Sequence, residues 1–427
     1  MIKIFKGNEI NKGSVLNREV VSFIEQEGTV KEIIREVRTR KDAALFDYCE
    51  MLDKVKLDNL VVSEDEIKEA YKRVSKEFID VVTEAKRNIE AFHKMQIKSN
   101  FEMKVSKGIV LGQKYTPIEK VGIYVPGGTA SYPSTVLMNA IPAKIAGVSK
   151  IVMTTPPQRN GKIKDEILAA AKIAGVDVII KCGGAQAIAA LAYGTESVPK
   201  VDKIVGPGNI FVAIAKRLVF GIVGIDMIAG PSEILIIADK SANSKFVAAD
   251  LLSQAEHDKL ATAVLVTDSD TLAMAVSSEL ERQLPELSRY VIARESIDTN
   301  GKIIIVKSVE EAIEMSNLIA PEHLEICTVN PYEKLPLIKN AGSIFLGNYS
   351  PEPLGDYYAG PNHTLPTGGS ARFSSPLSVD DFIKKSSYQC YSKEELALVA
   401  EKVAYFADSE GLTAHAKALR IRGEEKK

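Results

Sequence analysis

Val121-Gly122-Ile123-Tyr124-Val125 runs directly into Pro126-Gly127-Gly128-Thr129, and a helix-like stretch at 134–146 separates it from a second apolar run at 151–154. Apolar and β-prone residues closed by proline and glycine read as a buried strand and its turn. The rhythm then repeats: 164–174 is helix-like, 176–180 strand-like, 185–192 helix-like and 203–205 strand-like. Strands that are apolar on both faces and alternate with helices belong to parallel sheets, because each crossover helix covers a face. A second series starts at 233–238 and continues through 261–266, 302–306 and 324–328. The economical reading is two Rossmann-like α/β units in tandem.

Outside this alternation the pattern changes. The first hundred residues read as mainly helical. Thr29-x-x-Glu32 and Ser63-x-x-Glu66 have the spacing of capping boxes and lead into apolar residues at helical intervals. After Gly347 the chain becomes loop-like, rich in glycine and proline, until Ser392-x-x-Glu395 caps a final helix carrying Leu396, Val399, Val403 and Phe406. Long irregular segments inside compact enzymes are often functional.

Composition narrows the function classes. At 427 residues the chain exceeds one core, so two or more domains are expected. A formal net charge of −2 with mixed signs leaves no electrostatic footprint for nucleic acid. No apolar run has the length to span a bilayer, and Met1-Ile2-Lys3-Ile4-Phe5-Lys6 does not open a secretory signal. Cys49, Cys182, Cys327 and Cys390 are widely spaced without a CxxC pair, which fits reduced thiols in a cytoplasm.

Histidine is rationed. Four of the five lie beyond residue 250, each near an acid or an amide: Gln254-Ala255-Glu256-His257-Asp258, Pro321-Glu322-His323, Asp356 with His363, and Glu410 with His415. Imidazole binds metals and titrates near neutrality, so one site assembled from distant segments is the sharper reading. Each motif also has a plainer one. His257 could simply cap a helix, Glu322-His323 could be an exposed loop pair, Asp356 to His363 a tight turn, and Glu410 with His415 a solvated helix end. Cys327 lies in an apolar run and reads as a buried thiol rather than a nucleophile. Upstream, the turns at Pro126, Gly183-Gly184-Ala185-Gln186, Gly206-Pro207-Gly208-Asn209 and Gly230-Pro231-Ser232 follow strands or open helices. Glycine lets backbone approach a phosphate, yet GxGxxG is absent. Plain turns explain any one of them; four in succession favour a ligand cleft.

Together these motifs resemble the histidinol dehydrogenase family over essentially all of the chain from Val121 to His415. The runs that carry the resemblance are Gly122 to Gly128, Gly183 to Glu196, Val205 to Asn209, Ala229 to Glu233, Ser253 to Asp258, Ala320 to Leu324, Gly360 to His363 and Leu412 to His415. The resemblance implies NAD-dependent four-electron oxidation of L-histidinol to L-histidine through L-histidinal, the last step of histidine biosynthesis. It implies one zinc per subunit on Gln254, His257, Asp356 and His415, with Glu322 and His323 as acid–base residues. Tyr124, Gln186 and Asn209 would contact NAD; Ser232, Gln254, His257, His323, Asp356, His363, Glu410 and His415 would contact substrate. The expected architecture is α/β, with two incomplete Rossmann-like domains, small helical terminal segments and an intertwined cytoplasmic homodimer whose sites are shared. Its expected divisions are an N-terminal arm at 1–20 and a catalytic, metal-carrying domain at 21–119 and 232–375. An NAD domain at 120–231 and a helical dimerisation segment at 376–427 complete it. A zinc-dependent hydrolase of a small phosphorylated metabolite and a metal-stabilised binding protein are the competing readings from the residues alone.

Overall fold

The computed structural model describes residues 1–10, 15, 24–127 and 132–424. Residues 11–14 and 16–20 of the 1–20 arm, together with Gly128 and Thr129 of the first glycine turn, lie outside the described residues. The chain forms two compact units, Met1–Gln96 with Ile118–Phe382, and Ile97–Pro117 with Ile383–Lys427.

The larger unit is α/β and holds two wholly parallel sheets. The five-stranded sheet runs Val178–Lys181, Lys150–Thr155, Lys120–Tyr124, Lys203–Val205, Gly224–Ile225 across its width. The six-stranded sheet runs Lys3–Lys6, Lys302–Ile305, Thr262–Thr267, Glu233–Ala238, His323–Cys327, Ser343–Leu346. Leaving aside Lys3–Lys6 at one edge, both build outward alike: the first strand is central, the next two are laid to one side and the last two to the other.

Residues alternate between faces along each central strand. In Glu233–Ala238, Ile234, Ile236 and Ala238 enter one apolar cluster while Leu235 and Ile237 enter the other. Both faces are therefore covered, which is why the strand reads as an unbroken apolar run. The crossovers end on left-handed glycines where the period predicts it: helices Pro133–Ala146 and Asp165–Ala174 are capped by Gly147 and Gly175 at φ 91° and 79°.

The early helices form as expected, with one shift. Ser63 accepts from the Glu66 N–H and the Glu66 carboxylate accepts from the Ser63 N–H, a complete capping box. Thr29, by contrast, lies within helix Ile24–Arg40, so its spacing to Glu32 marks no helix start. The sequence reading groups 21–119 with 232–375, but Val37, Leu45 and Leu60 join one core of the five-stranded sheet and Ala70, Val82 and Ile89 the other.

The smaller unit is an antiparallel sheet, Ile383–Tyr391 beside Ile109–Pro117 beside Phe101–Ser106, followed by helices Lys393–Ser409 and Thr413–Glu424. Ser392 caps the first of these helices through the Glu395 N–H. The segment from 376 expected to be helical thus also holds a nine-residue strand, Ile383–Tyr391, ahead of its two helices. Among the described residues no helix is long and apolar enough to cross a membrane.

Candidate active site

The strand order creates a crevice wherever it reverses, and in open parallel sheets ligands ordinarily bind outside the carboxyl ends there. In the five-stranded sheet the reversal falls between Lys120–Tyr124 and Lys203–Val205. Tyr124 closes one strand and Gly206-Pro207-Gly208-Asn209 follows the other. The Tyr124 phenol is buried and accepts from the Gly184 N–H at 3.1 Å, tying two of the glycine turns together. Burial pushes that phenol up to about 12. Gln186 stands in the first turn of helix Gly184–Tyr193, 1% exposed, with no protein partner for its amide oxygen. Asn209 caps helix Ile210–Val219 by accepting from the Phe211 and Val212 N–H groups at 3.1 and 3.2 Å. The three residues expected to contact NAD therefore stand at the carboxyl edge of one sheet, beside glycines too tightly packed to carry a Cβ.

The six-stranded sheet carries its titratable groups at the opposite, amino, edge. Helix Val309–Ile319 ends on Ala320 at φ +53°, an unusual conformation for a residue with a Cβ. Pro321 follows, and Glu322 and His323 open the strand His323–Cys327. Both are anchored to Glu233 at the head of the neighbouring strand. The Glu233 N–H donates to Oε2 of Glu322 at 2.8 Å, and Nδ1 of His323 meets the Glu233 carbonyl at 3.0 Å. A carbonyl only accepts, so Nδ1 carries the proton and Nε2 keeps a lone pair in the neutral ring. Nε2 is buried without a hydrogen-bond partner, 3.6 Å from Oδ1 of Asp356 and 4.0 Å from Oε1 of Glu352.

Two other segments converge on this edge. Crossover helix Ser244–Ala255 returns the chain to it, putting buried Gln254 in its last turn and His257 just past its end. The shared helical face expected of Gln254 and His257 is replaced by a turn in which the His257 N–H reaches the Gln254 carbonyl at 3.2 Å. The loop beyond Ser343–Leu346 brings Glu352 and Asp356. His363 closes that loop: Nδ1 donates to the Asp356 carbonyl at 2.9 Å, and Nε2 lies 3.4 Å from the Thr135 hydroxyl. The Asp356–His363 pairing is thus backbone to ring. Ser232 is half-buried immediately before Glu233.

Burial and charge oppose each other throughout. Burial pushes the Glu322 carboxyl up to about 8. For His323 burial acts downward, but Glu322, Asp356 and Glu352 outweigh it and raise the imidazole to about 10. Burial also raises Glu352 to about 8, aided by the charge of Asp356. Asp356 is held well below the carboxylate range because His323 outweighs its burial. Burial lowers both His257 and His363, and both rings feel the charges of Asp356 and His323.

Ligand atoms of His323, Glu352 and Asp356 lie within 4.8 Å of one another, close enough to hold a metal ion. This group shares Asp356 with the expected set. The unpartnered buried Gln254 oxygen and His323 nitrogen are the kind of atoms a cation would satisfy, so the residues fit one. Glu410 and His415 belong to the smaller unit, both exposed, one capping helix Lys393–Ser409 and the other in the first turn of Thr413–Glu424.

The model of the histidinol dehydrogenase family matches residues 16–423. A histidinol dehydrogenase of Bacillus cereus is 58% identical over 412 residues, 96% of each chain. The chain belongs to the histidinol dehydrogenase family. It is accordingly an enzyme, an oxidoreductase. A histidinol dehydrogenase of Clostridium acetobutylicum is 58% identical over 92% of this chain and 91% of its own. The crystal structure of histidinol dehydrogenase from Elizabethkingia anophelis superposes with a TM-score of 0.94 at 40% identity, covering 99% of this chain and 98% of that one. Within this histidinol dehydrogenase fold, sequence reasoning overlooked Glu352. The available signal was its spacing: Glu352 and Asp356 are four apart, one helical turn.

Proposed function

We propose that this enzyme oxidises L-histidinol to L-histidine through L-histidinal, using two NAD+, in the cytoplasm as the last step of histidine biosynthesis. Family membership sets aside the hydrolase and the binding protein. The observation that carries the reading is the Glu322–His323 pair, two buried bases of different chemistry locked to the backbone of the same residue, Glu233.

NAD+, when bound, supplies the hydride acceptor, and zinc supplies a fixed positive charge with open ligand positions that orient substrate. Gln254, His257 and Asp356 would hold the metal together with His415, and Glu352 stands beside Asp356. Tyr124, Gln186 and Asn209 would line the dinucleotide crevice, in keeping with a Rossmann-like use of the five-stranded sheet. Ser232, His363 and Glu410 would contact histidinol, along with the metal-binding side chains and His323.

The proton chemistry follows from the tautomer. His323 reacts in its neutral form, which the surrounding carboxylates disfavour: as hydride leaves the alcohol carbon, the hydroxyl proton passes to Nε2 while Nδ1 keeps the ring oriented. Histidinal then needs water. Glu322 takes a proton from that water as its oxygen bonds to the aldehyde carbon, while His323 returns its proton to the carbonyl oxygen, giving the hydrate and a neutral ring. The hydrate then loses its hydride to the second NAD+ and a hydroxyl proton to His323. The balance is one histidinol, one water and two NAD+ giving histidinate, two NADH and three protons. The burial that raises Glu322 makes its carboxylate a stronger base once ionised.

Glu410 and His415 are proposed to enter from a second copy of the chain in a homodimer. In support, the smaller unit exposes the large apolar side chains Phe101, Met103, Val105, Leu398, Tyr405 and Phe406, the kind of surface that a second copy would cover. Mixing inactive His257→Ala with inactive His415→Ala subunits tests this, because one site of each mixed dimer is then intact. Recovered activity supports the shared site; mixed dimers that stay inactive overturn it. Chelation followed by zinc addition tests the metal: activity should vanish and return, and full turnover by metal-free protein contradicts the reading.

A further inference from the structure

The Gly206–Asn209 turn is gripped by a buried ion pair that no chemical step above uses. Lys216 and Asp226 are ion-paired with side chains 2% and 1% exposed. Lys216 comes from helix Ile210–Val219, and Asp226 follows the edge strand Gly224–Ile225. Nζ of Lys216 donates to the Gly206 carbonyl at 3.0 Å, while the Gly206 N–H donates to Oδ2 of Asp226 at 2.8 Å. The Met227 N–H donates to Oδ1 of Asp226 at 2.6 Å, so both carboxylate oxygens accept from backbone. The pair therefore holds Gly206 by its N–H and by its carbonyl.

The other side of Gly206 is closed too. Its φ is +110°, and a Cβ there would lie 2.2 Å from the Tyr124 carbonyl oxygen. The residue is fixed between the neighbouring strand and the ion pair, three positions before Asn209.

Opposite charges inside a protein are a poor source of stability. Their desolvation commonly offsets their attraction, and apolar replacement is often neutral or better. A pair at this depth, with one further hydrogen bond from each partner spent on Gly206, acts by selecting a single backbone conformation. We propose that Lys216 and Asp226 are positioning residues that preset the Gly206–Asn209 turn for NAD+. This rests on the reading of that turn as part of the dinucleotide crevice. Preorganisation matters because ordering a loose turn on binding subtracts from affinity.

The test compares three variants of the full-length zinc enzyme by NAD+ and histidinol titration calorimetry, steady-state kinetics and urea unfolding. Lys216→Met combined with Asp226→Asn should remain folded while Kd and KM for NAD+ rise about tenfold, or about 1.4 kcal/mol. The histidinol Kd and kcat at saturating NAD+ should stay near wild type. Lys216→Arg covers failure of the double variant to fold. It keeps the charge but replaces a point donor by a planar fork, and should weaken NAD+ selectively by a smaller factor. Asn209→Asp keeps the capping oxygen and removes the amide donor, so it reports on the turn itself. If Asn209→Asp weakens NAD+ while the pair variants bind it normally, the positioning role is overturned and the crevice stands. If Asn209→Asp also leaves NAD+ affinity unchanged, the turn is not part of the crevice and both ideas fall. Equal loss of NAD+ and histidinol in the pair variants reduces Lys216 and Asp226 to general structural residues and overturns the proposal.

Discussion

Substituting Glu322 by glutamine and by alanine separates its chemical role from its structural one. Oε2 of Glu322 accepts from the buried Glu233 N–H at 2.8 Å, and the side chain is almost wholly enclosed. Glutamine keeps an acceptor oxygen and nearly the same volume, so Glu322→Gln should unfold at close to the wild-type urea concentration. Alanine removes the acceptor from a buried donor, which costs about 1–3 kcal/mol before any cavity cost. Chemically, both variants lack the carboxylate proposed to activate water. Loss of a general base typically slows the assisted step by about 10²–10⁴-fold, or roughly 2.7–5.5 kcal/mol of barrier. Glu322→Gln should therefore lower histidinal oxidation by that factor while leaving the histidinol half-reaction much closer to wild type. Single-turnover NADH formation from each substrate resolves the two steps. Equal losses in both half-reactions, or wild-type histidinal oxidation by Glu322→Gln, refute the division of labour between Glu322 and His323.

Three further outcomes follow. Cys327 is buried in its strand, where burial pushes the thiol far above its usual range, so Cys327→Ser should retain aldehyde oxidation; complete loss in a folded variant would revive a covalent route. Gly206→Ala should destabilise by about 2–5 kcal/mol in urea unfolding, from left-handed strain plus the contact with the Tyr124 carbonyl, and a wild-type midpoint would contradict this geometry. Burial raises Asp53 to about 6, so the folded state holds its proton more tightly and this residue's contribution to stability falls as pH rises from the unfolded value through 6. Allowing for its partial exposure, Asp53→Asn should gain about 1 kcal/mol in thermal unfolding above pH 6 and nothing below pH 4, and a gain independent of pH would refute it.

The parallel sheets were legible because buried strands leave apolar runs and their crossovers leave helical ones. Lys120–Tyr124, Lys203–Val205 and Glu233–Ala238 fall within a residue of their expected bounds. Ile383–Tyr391 escaped notice because its residues are almost all exposed or mixed, so no apolar face marks it. Four-residue edge strands such as Ser343–Leu346 offer too few residues for a period. In the site, adjacency in sequence exposed Glu322 with His323, but the backbone N–H and carbonyl of Glu233 that orient them are invisible, since a backbone group has no signature in a sequence. Glu352 was hidden for another reason: its importance comes from burial beside Asp356 and His323, a consequence of tertiary packing.

The most direct test of the central claim is the yield of NADH when excess zinc-loaded enzyme and NAD+ consume a limiting, known amount of histidinol. Four-electron oxidation predicts two NADH per histidinol, with histidine as the recovered product. One NADH with histidinal accumulating, or no NADH at all, would contradict it.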